Sequence, residues 1–149
     1  MKNRRVVIKR AVWVLFIVYL SWLIYFLFFC DAYGRHRSDT YRYNLEPFSE
    51  IKRYINYYDN IGFKLFMLNI VGNIAAFVPF GASLPVINKK HKGFLSVFLI
   101  GVLFTASIET AQLIMRVGSF DVDDMILNTT GVVIGFVLCK IMKFIYNRG

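Results

Sequence analysis

Two neighbouring apolar stretches of the chain carry charged and amide side chains of the kind that bind ions or polar ligands. The side chains in or just after the first stretch are Glu109, Gln112 and Arg116, and those that open the second are Asp121, Asp123, Asp124 and Asn128. An ionisable group costs roughly 2.5 to 3.5 kcal/mol at a bilayer centre, so it persists there mainly when it has a partner and a function. The segment from Ser107 to Gly135 is therefore the predicted site.

The three aspartates allow two interpretations. Asp121, Asp123 and Asp124 could hold a hard divalent cation through carboxylate oxygens, with Asn128 or Glu109 completing the coordination shell. Alternatively, Asp123 or Asp124 caps the following helix, since acidic side chains are favourable at a helix N-terminus. Capping is the preferred interpretation for any single aspartate. We assign no cofactor and no catalytic residue.

The composition places this site in a membrane protein. Of the 149 residues, 57% are hydrophobic and only 18% are charged, and four long apolar runs are separated by short polar ones. Twenty helical residues span about 30 Å, the hydrocarbon thickness of a bilayer. The sequence thus predicts an all-α polytopic membrane protein with a single domain over residues 1–149. The predicted transmembrane helices cover about residues 11–30, 65–87, 93–115 and 125–145.

The basic residues indicate the orientation of the chain. The net charge of +9 is concentrated at the ends of the apolar runs, which favours topology signals over a nucleic-acid-binding face. By the positive-inside rule, both termini and residues 88–92 are cytoplasmic, whereas residues 31–64 and 116–124 face outward. The protein is therefore expected in the bacterial cell membrane with an even number of crossings.

The first apolar run is expected to remain in the mature protein. Its core is too long for a cleaved signal peptide and no small-x-small site follows it. Bulky Phe28 and Phe29 before Cys30 argue against a lipid anchor. Cys30 and Cys139 are expected near opposite membrane surfaces, well beyond the Cα separation of about 7 Å that a disulfide allows, so no bridge is predicted between them.

The first outward segment is polar and rich in tyrosine. Within it, Ile51, Tyr54, Ile55 and Tyr58 follow the spacing of an amphipathic helix. Tyrosine favours the headgroup level of a bilayer, so this helix is expected to lie in the interface. The alternative is a disordered loop in which the spacing arises by chance.

The second apolar run carries Asn69 and Asn73 four residues apart. Taken alone, the two asparagines are better explained as polar contacts between helices, worth about 0.6 kcal/mol each. Pro79 and Pro85 each remove a backbone donor, so they are expected to kink the later half of this helix or to end it near Gly81.

Depth and helical angle bring three spans together. At a rise of about 1.5 Å per residue, Glu109 lies about 10 Å, Asn73 about 12 Å and Asn128 about 6 Å below the outer ends of their helices. Glu109, Gln112 and Arg116 share one helical face, on which Glu109 and Arg116 can pair directly or through Gln112. A second face carries Asp124, Asn128, Gly131 and Gly135, and its G-x-x-x-G spacing permits close approach of another helix.

Several motifs in a fixed order resemble the VanZ-like family of small bacterial membrane proteins. They are NLEPF at 44–48, the pair Asn69 and Asn73, PFG at 79–81, SIETAQ at 107–112, and Arg116 followed by DVDDMILNTTG at 121–131. Glu46 departs from the family pattern, where this position looks more often apolar. The resemblance implies a role in resistance to the glycopeptide antibiotic teicoplanin, and it implies no established catalytic residues.

The preferred hypothesis is a non-enzymatic protein that binds or excludes an amphiphile at the outer leaflet. Expected partners are membrane lipids and either a lipoglycopeptide antibiotic or a lipid-linked cell-wall precursor; no nucleic acid is expected, and the sequence gives no oligomeric state. Glu109, Arg116 and Asp124 would hold the polar head, with Asn69, Asn73 and Asn128 orienting them.

The alternative hypothesis is an intramembrane enzyme that modifies a lipid or a lipid-linked cell-wall precursor. Several carboxylates near one depth favour it, because they could perform acid-base or metal-assisted chemistry. Against it, the sequence has no HExxH, no GxSxG and no Cys-His arrangement at the depth of the site, since His36 and His91 lie elsewhere. A small transporter is disfavoured because the four spans show no internal repeat.

Overall fold

The computed structural model describes residues 2–29, 39–88 and 93–148. Four of its helices are long and apolar enough to cross a membrane, which confirms the predicted all-α polytopic architecture. The predictions that concern Cys30, His36, His91 and the basic residues of 89–92 fall outside the described ranges. Cys139, the second cysteine of the chain, is a buried free thiol.

The described residues form seven α-helices, one π-helical segment and two short strands. The first crossing is α1 (Lys2–Phe29), and the polar segment after it holds β1 (Arg42–Asn44), α2 (Ser49–Asn56) and α3 (Tyr58–Ile61). The second crossing consists of α4 (Phe63–Phe66), a π-helical segment (Met67–Val71) and α5 (Gly72–Ile87). The third crossing is α6 (Phe94–Met115), followed by β2 (Ser119–Asp121) and the fourth crossing, α7 (Val122–Arg148).

The predicted amphipathic helix exists, but it is broken near its end. Helix α2 contains Ile51, Tyr54 and Ile55, and a turn at Tyr57 separates it from the single turn of α3 that contains Tyr58. Gly62, with φ of 86°, then redirects the chain into the second crossing. A positive φ favours glycine, which has no Cβ to clash with the backbone.

The second crossing continues through both of its prolines. Helix α5 contains Pro79 and Pro85 and extends to Ile87, so the expected helix end near Gly81 does not occur. Prolines are tolerated inside transmembrane helices when neighbouring groups satisfy the freed backbone. At the end of α5, Lys143 Nζ donates to the carbonyl of Pro85 at 3.4 Å, one of the last four carbonyls of the helix, which have no intrahelical donor.

Helices α5 and α7 form the most extensive helix pair of the bundle. A Cβ added to Gly131 would overlap the carbonyl oxygen of Ile74, and one added to Gly135 would overlap that of Val78. From the other side, a Cβ on Gly81 would overlap the carbonyl of Val132. The G-x-x-x-G spacing therefore does what the sequence suggested, since it lets the two backbones touch where apolar attraction between helices is weak.

Polar side chains connect the crossings in pairs. Tyr19 Oη donates to the carbonyl of Ala76 at 2.6 Å and joins α1 to α5. Gln112 Nε2 donates to the carbonyl of Leu27 at 3.0 Å and joins α6 to α1. Asn128 Nδ2 donates to Thr105 Oγ1 at 2.9 Å and joins α7 to α6. Such hydrogen bonds fix the relative positions of the helices more specifically than apolar contacts alone.

The close contact between α5 and α7 gives a stability prediction. We expect Gly135→Ala to lower the free energy of unfolding by about 1 to 3 kcal/mol, because the new methyl group forces two backbones apart. Thermal unfolding of the purified protein in detergent measures this change. Gly93→Ala is the matched control, since a Cβ there meets no atom within 4 Å. Equal stability of the two variants would contradict the proposed helix contact.

Candidate functional site

A polar cavity of about 440 Å³ lies at the end of the bundle where the second and fourth crossings begin. It is bordered by β1 and β2, by α2, and by residues of the second and fourth crossings. Its lining residues are Arg42, Tyr43, Asn44, Glu50, Arg53, Tyr54, Asn69, Asn73, Val117, Gly118, Ser119, Asp121 and Asp124. The volume is within the range of about 300 to 1,000 Å³ that is usual for small-ligand sites.

A two-stranded parallel sheet forms one wall of this cavity. Strand β1 pairs with β2 so that Arg42 lies opposite Ser119 and Asn44 opposite Asp121. Residues two apart on a strand point to the same face, so Arg42 and Asn44 share one side of the sheet. The pairing places the polar segment after α1 and the connection between α6 and α7 at the same end of the bundle, as the predicted topology requires.

Asn44 organises the turn that leads into α2. Its Nδ2 donates to Asp121 Oδ1 at 3.2 Å, and its Oδ1 accepts from the backbone N–H of Glu46 at 3.2 Å and from Ser49 Oγ at 3.0 Å. The chain then reaches Phe48, which adopts a left-handed conformation with φ of 66°. Glu46, the residue that departs from the family pattern, is exposed at this turn.

The carboxylate of Asp123 accepts three backbone hydrogen bonds from the start of α2. Phe48 N–H donates to Oδ1 at 2.5 Å, and the N–H groups of Glu50 and Ile51 donate to Oδ2 at 2.8 and 3.1 Å. Helix α2 has no side-chain cap from its own N-cap residue. These three bonds make Asp123 the cap of a helix that lies more than seventy residues earlier in the chain. The Asp123 side chain is only 1% exposed, so the cap is buried.

Asp121 caps α7, the helix in which Asp123 itself lies. Asp121 Oδ1 accepts the backbone N–H of Asp123 at 2.8 Å, and the N–H of Asp121 donates to Glu109 Oε2 at 3.2 Å. The sequence favoured Asp123 or Asp124 as the cap of this helix, but the residue that caps it is Asp121. Burial raises the pKa of the Asp121 carboxyl above its usual range, although hydrogen bonds from the Asp123 backbone and from Asn44 oppose this shift.

Asparagines of the second crossing complete the cavity wall that faces α7. Asn73 Nδ2 donates to Asp124 Oδ1 at 2.6 Å and joins the second crossing to the fourth. Asn69 Nδ2 donates to the carbonyl of Leu65 at 2.8 Å. Asn69 lies in the π-helical segment between α4 and α5. A short π-helical segment inside a helix, with its i to i+5 hydrogen bonds, often marks a functional site.

Two guanidinium groups border the cavity, and they differ in whether they pair with another side chain. Arg53 pairs with Glu50 at 2.5 Å and lies 5.3 Å from the ring centroid of Tyr54. The Arg42 side chain makes no hydrogen bond or ion pair anywhere in the described parts of the chain, so its charge is available to a ligand. Burial raises the pKa of Glu50, against the lowering effect of the Arg53 charge.

Comparison of the chain with known proteins identifies its family. The VanZ/LLP1 family matches residues 16–143, which include the second half of α1, the second and third crossings in full, most of the fourth, and every residue that lines the cavity. The chain belongs to the VanZ/LLP1 family. Protein VanZ of Enterococcus faecium is 28% identical over 132 residues, which cover 89% of this chain and 73% of that protein. No solved structure matches the chain significantly.

Four of the eight predicted ligand-binding residues of this VanZ/LLP1 protein line the cavity. They are Asn69, Asn73, Asp121 and Asp124. Of the other four, Glu109, Gln112 and Asn128 are buried and make the bonds within the bundle described above. Arg116 ends α6 with φ of 58°, and its guanidinium lies 4.5 Å from the ring centroid of Tyr41 and donates to the carbonyl of Asp39 at 3.5 Å.

The proposed metal ligands Asp121, Asp123 and Asp124 point to different partners. Asp121 contacts Asn44 and the start of α7, Asp123 contacts α2, and Asp124 contacts Asn73. Within residues 2–29, 39–88 and 93–148, no group of three or more His, Cys, Asp or Glu side chains is placed to hold a metal ion.

Sequence reasoning missed the cavity residues contributed by β1 and α2. Arg42, Glu50 and Arg53 were not singled out as site residues, and Tyr54 was noted only for its place in the amphipathic-helix pattern. The useful signal was the NLEPF motif, because Asn44 and Phe48 both make contact with the aspartate cluster. Strands of three residues are too short to show a periodic pattern.

The buried carboxylate of Asp123 gives the second prediction. We expect Asp123→Ala to destabilise the docking of α2 by about 1 to 3 kcal/mol, since three amides lose their acceptor. Hydrogen exchange at the amides of Glu50 and Ile51 should accelerate accordingly, and Asp123→Asn, which keeps one acceptor oxygen, should have a smaller effect. Asp59→Ala, at an exposed position in α3, is the control. Unchanged protection in Asp123→Ala would show that α2 is held by other contacts.

Proposed function

We propose that this membrane protein binds the polar head of an amphiphile at the outer face of the bacterial cell membrane and does not alter it chemically. The observation that carries this proposal is the polar cavity that α2 borders together with two transmembrane helices. A tyrosine-bearing interfacial helix next to such a cavity suits a ligand that is anchored in the bilayer and presents its head sideways.

The cavity lining favours a head that carries both signs of charge. Arg42, whose side chain has no hydrogen bond or ion pair to any described residue, offers its guanidinium to an anionic group, and the carboxylate of Asp124 can accept from an ammonium. Asn69, Asn73 and Tyr54 add neutral hydrogen-bonding groups. Lipoglycopeptides and lipid-linked cell-wall precursors combine such groups with a hydrophobic chain, and the resemblance to the VanZ-like family makes teicoplanin the first candidate.

The contacts of the carboxylates favour binding over catalysis. Asp121 caps α7, Asp123 caps α2, and Glu50 pairs with Arg53. A general acid or base must reach a reacting atom with a free lone pair or proton, and these groups are already oriented toward protein partners. The raised pKa of Asp121 follows from its burial and does not by itself indicate an acid-base role.

The third prediction tests the cavity directly. Purified protein in lipid nanodiscs should bind teicoplanin more tightly than vancomycin, which lacks the acyl tail. Asp124→Asn and Arg42→Gln should each weaken teicoplanin binding by about tenfold or more, as expected for loss of a charge-assisted hydrogen bond. Isothermal titration calorimetry measures the affinities, and Asp59→Asn serves as the charge-matched control because Asp59 is exposed outside the cavity.

In cells, the same cavity variants should reduce protection against teicoplanin at normal protein abundance. Wild-type affinity and full protection in both Asp124→Asn and Arg42→Gln would refute a role for the cavity.

The fourth prediction concerns orientation, which we propose to be cavity-outward with both termini cytoplasmic. In a variant with Cys30 and Cys139 replaced by serine, Asp59→Cys introduces a thiol at an exposed position. This thiol should react with a membrane-impermeant maleimide in intact cells. A cysteine at exposed position 147 should react only after the cells are opened. The reverse labelling pattern would place the cavity in the cytoplasm and exclude an extracellular ligand.

A further inference from the structure

An apolar groove of about 310 Å³ lies between the first and second crossings. Trp22 and Phe26 of α1 form one side, and Leu68 and Gly72 of the second crossing form the other. Ala75 continues the floor, where small side chains leave the helix surface recessed. Below it, the hydrogen bond from Tyr19 to the carbonyl of Ala76 fixes the two helices against each other.

The groove and the polar cavity occupy adjoining faces of the same stretch of helix. Leu68 and Gly72 line the groove, whereas Asn69 and Asn73, the next residue in each case, line the cavity. Successive residues of a helix point about 100° apart. A molecule with its head between the asparagines and Arg42 can therefore extend a chain around the helix into the groove.

The position of the groove in the membrane agrees with this path. Trp22 and Phe26 lie within the last two turns of α1, which ends at Phe29, and Leu68 and Gly72 lie in the first turns of the second crossing. The groove thus occupies the half of the bundle nearest the cavity. Trp22 is 52% exposed and Ala75 is exposed, so the groove opens sideways to lipid.

We infer that this groove binds the acyl chain of the amphiphile whose head occupies the polar cavity. The inference rests on the proposed function and deepens it, because it assigns the hydrophobic part of the ligand to named residues. Because the groove and the cavity lie on adjoining faces of the second crossing, one molecule can place its head in the cavity and its chain in the groove. Lateral opening lets the ligand enter from the outer leaflet without leaving the bilayer.

A filling substitution tests the groove separately from the cavity. Ala75→Phe places a ring in the recess at a position that is already exposed to lipid, and Leu103→Phe, at a 67% exposed position on α6, is the control. The probes are teicoplanin and deacylated teicoplanin, which share one head. We expect Ala75→Phe to weaken teicoplanin binding by about tenfold, as for roughly two methylenes losing burial, and to leave deacylated teicoplanin unaffected.

Tryptophan fluorescence gives a direct readout of chain position. The chain has two tryptophans, Trp13 and Trp22, so Trp13→Phe leaves only the groove tryptophan. Deacylated teicoplanin re-acylated with a brominated chain should quench Trp22 saturably, and Ala75→Phe should abolish the saturable part. The reciprocal Trp22→Phe variant, which keeps Trp13, should show only the linear quenching of a ligand dissolved in the bilayer.

The outcomes separate the two proposals. If teicoplanin binding depends on Asp124 and Arg42 but Ala75→Phe changes neither affinity nor quenching, the groove inference is overturned and the head site stands. If deacylated teicoplanin binds with undiminished affinity to Asp124→Asn and Arg42→Gln, the head site is overturned. Saturable quenching of Trp13 equal to that of Trp22 would likewise overturn the assignment of the chain to this groove.

Discussion

The carboxylate of Asp123 and the first amides of α2 satisfy each other in a place that water hardly reaches. A buried carboxylate is costly unless its oxygens accept hydrogen bonds, and a helix N-terminus has amides that no helical carbonyl can satisfy. Here three amides of Phe48, Glu50 and Ile51 meet one carboxylate that is 1% exposed. Because α2 carries Glu50, Arg53 and Tyr54 into the cavity wall, the shape of the cavity depends on this contact.

Around this contact the polar groups form two layers with different roles. The deeper layer bonds to the protein: Glu109 accepts from the Asp121 backbone, Gln112 donates to Leu27, and Asn128 donates to Thr105. The upper layer faces the cavity and includes Arg42, Asn73 and Asp124. The charged and amide groups inside the apolar sequence thus stabilise the bundle at depth, and they border the open cavity only at the end of the bundle that carries α2 and the sheet.

Periodicity and composition predicted the elements of this structure better than the contacts between them. The four crossings, the helix around Tyr54 and the approach of Asn73 to Asp124 all follow from hydrophobic pattern and depth. The partner of Asp123 could not be predicted, since no local pattern links a carboxylate to amides more than seventy residues away. Arg116 shows a second limit: helical angle placed it on the face of Glu109, but its left-handed conformation ends the helix there, and the side chain reaches Tyr41.

The hydrogen bonds also explain why the ordered set of family motifs is informative although each motif is weak alone. Asn44 of NLEPF donates to Asp121, and the amide of Phe48 in the same motif donates to Asp123. Glu109 of SIETAQ accepts from the backbone of Asp121, and Asn73 of the second crossing donates to Asp124. These motifs supply partners that the aspartate segment needs, and PFG contributes Gly81, which packs against the backbone of Val132 in the same helix as Asp123 and Asp124. A buried polar group without its partner costs about 1 to 3 kcal/mol. The motifs therefore belong together because they stabilise the same end of the bundle, and the cavity lies where their polar network reaches open space.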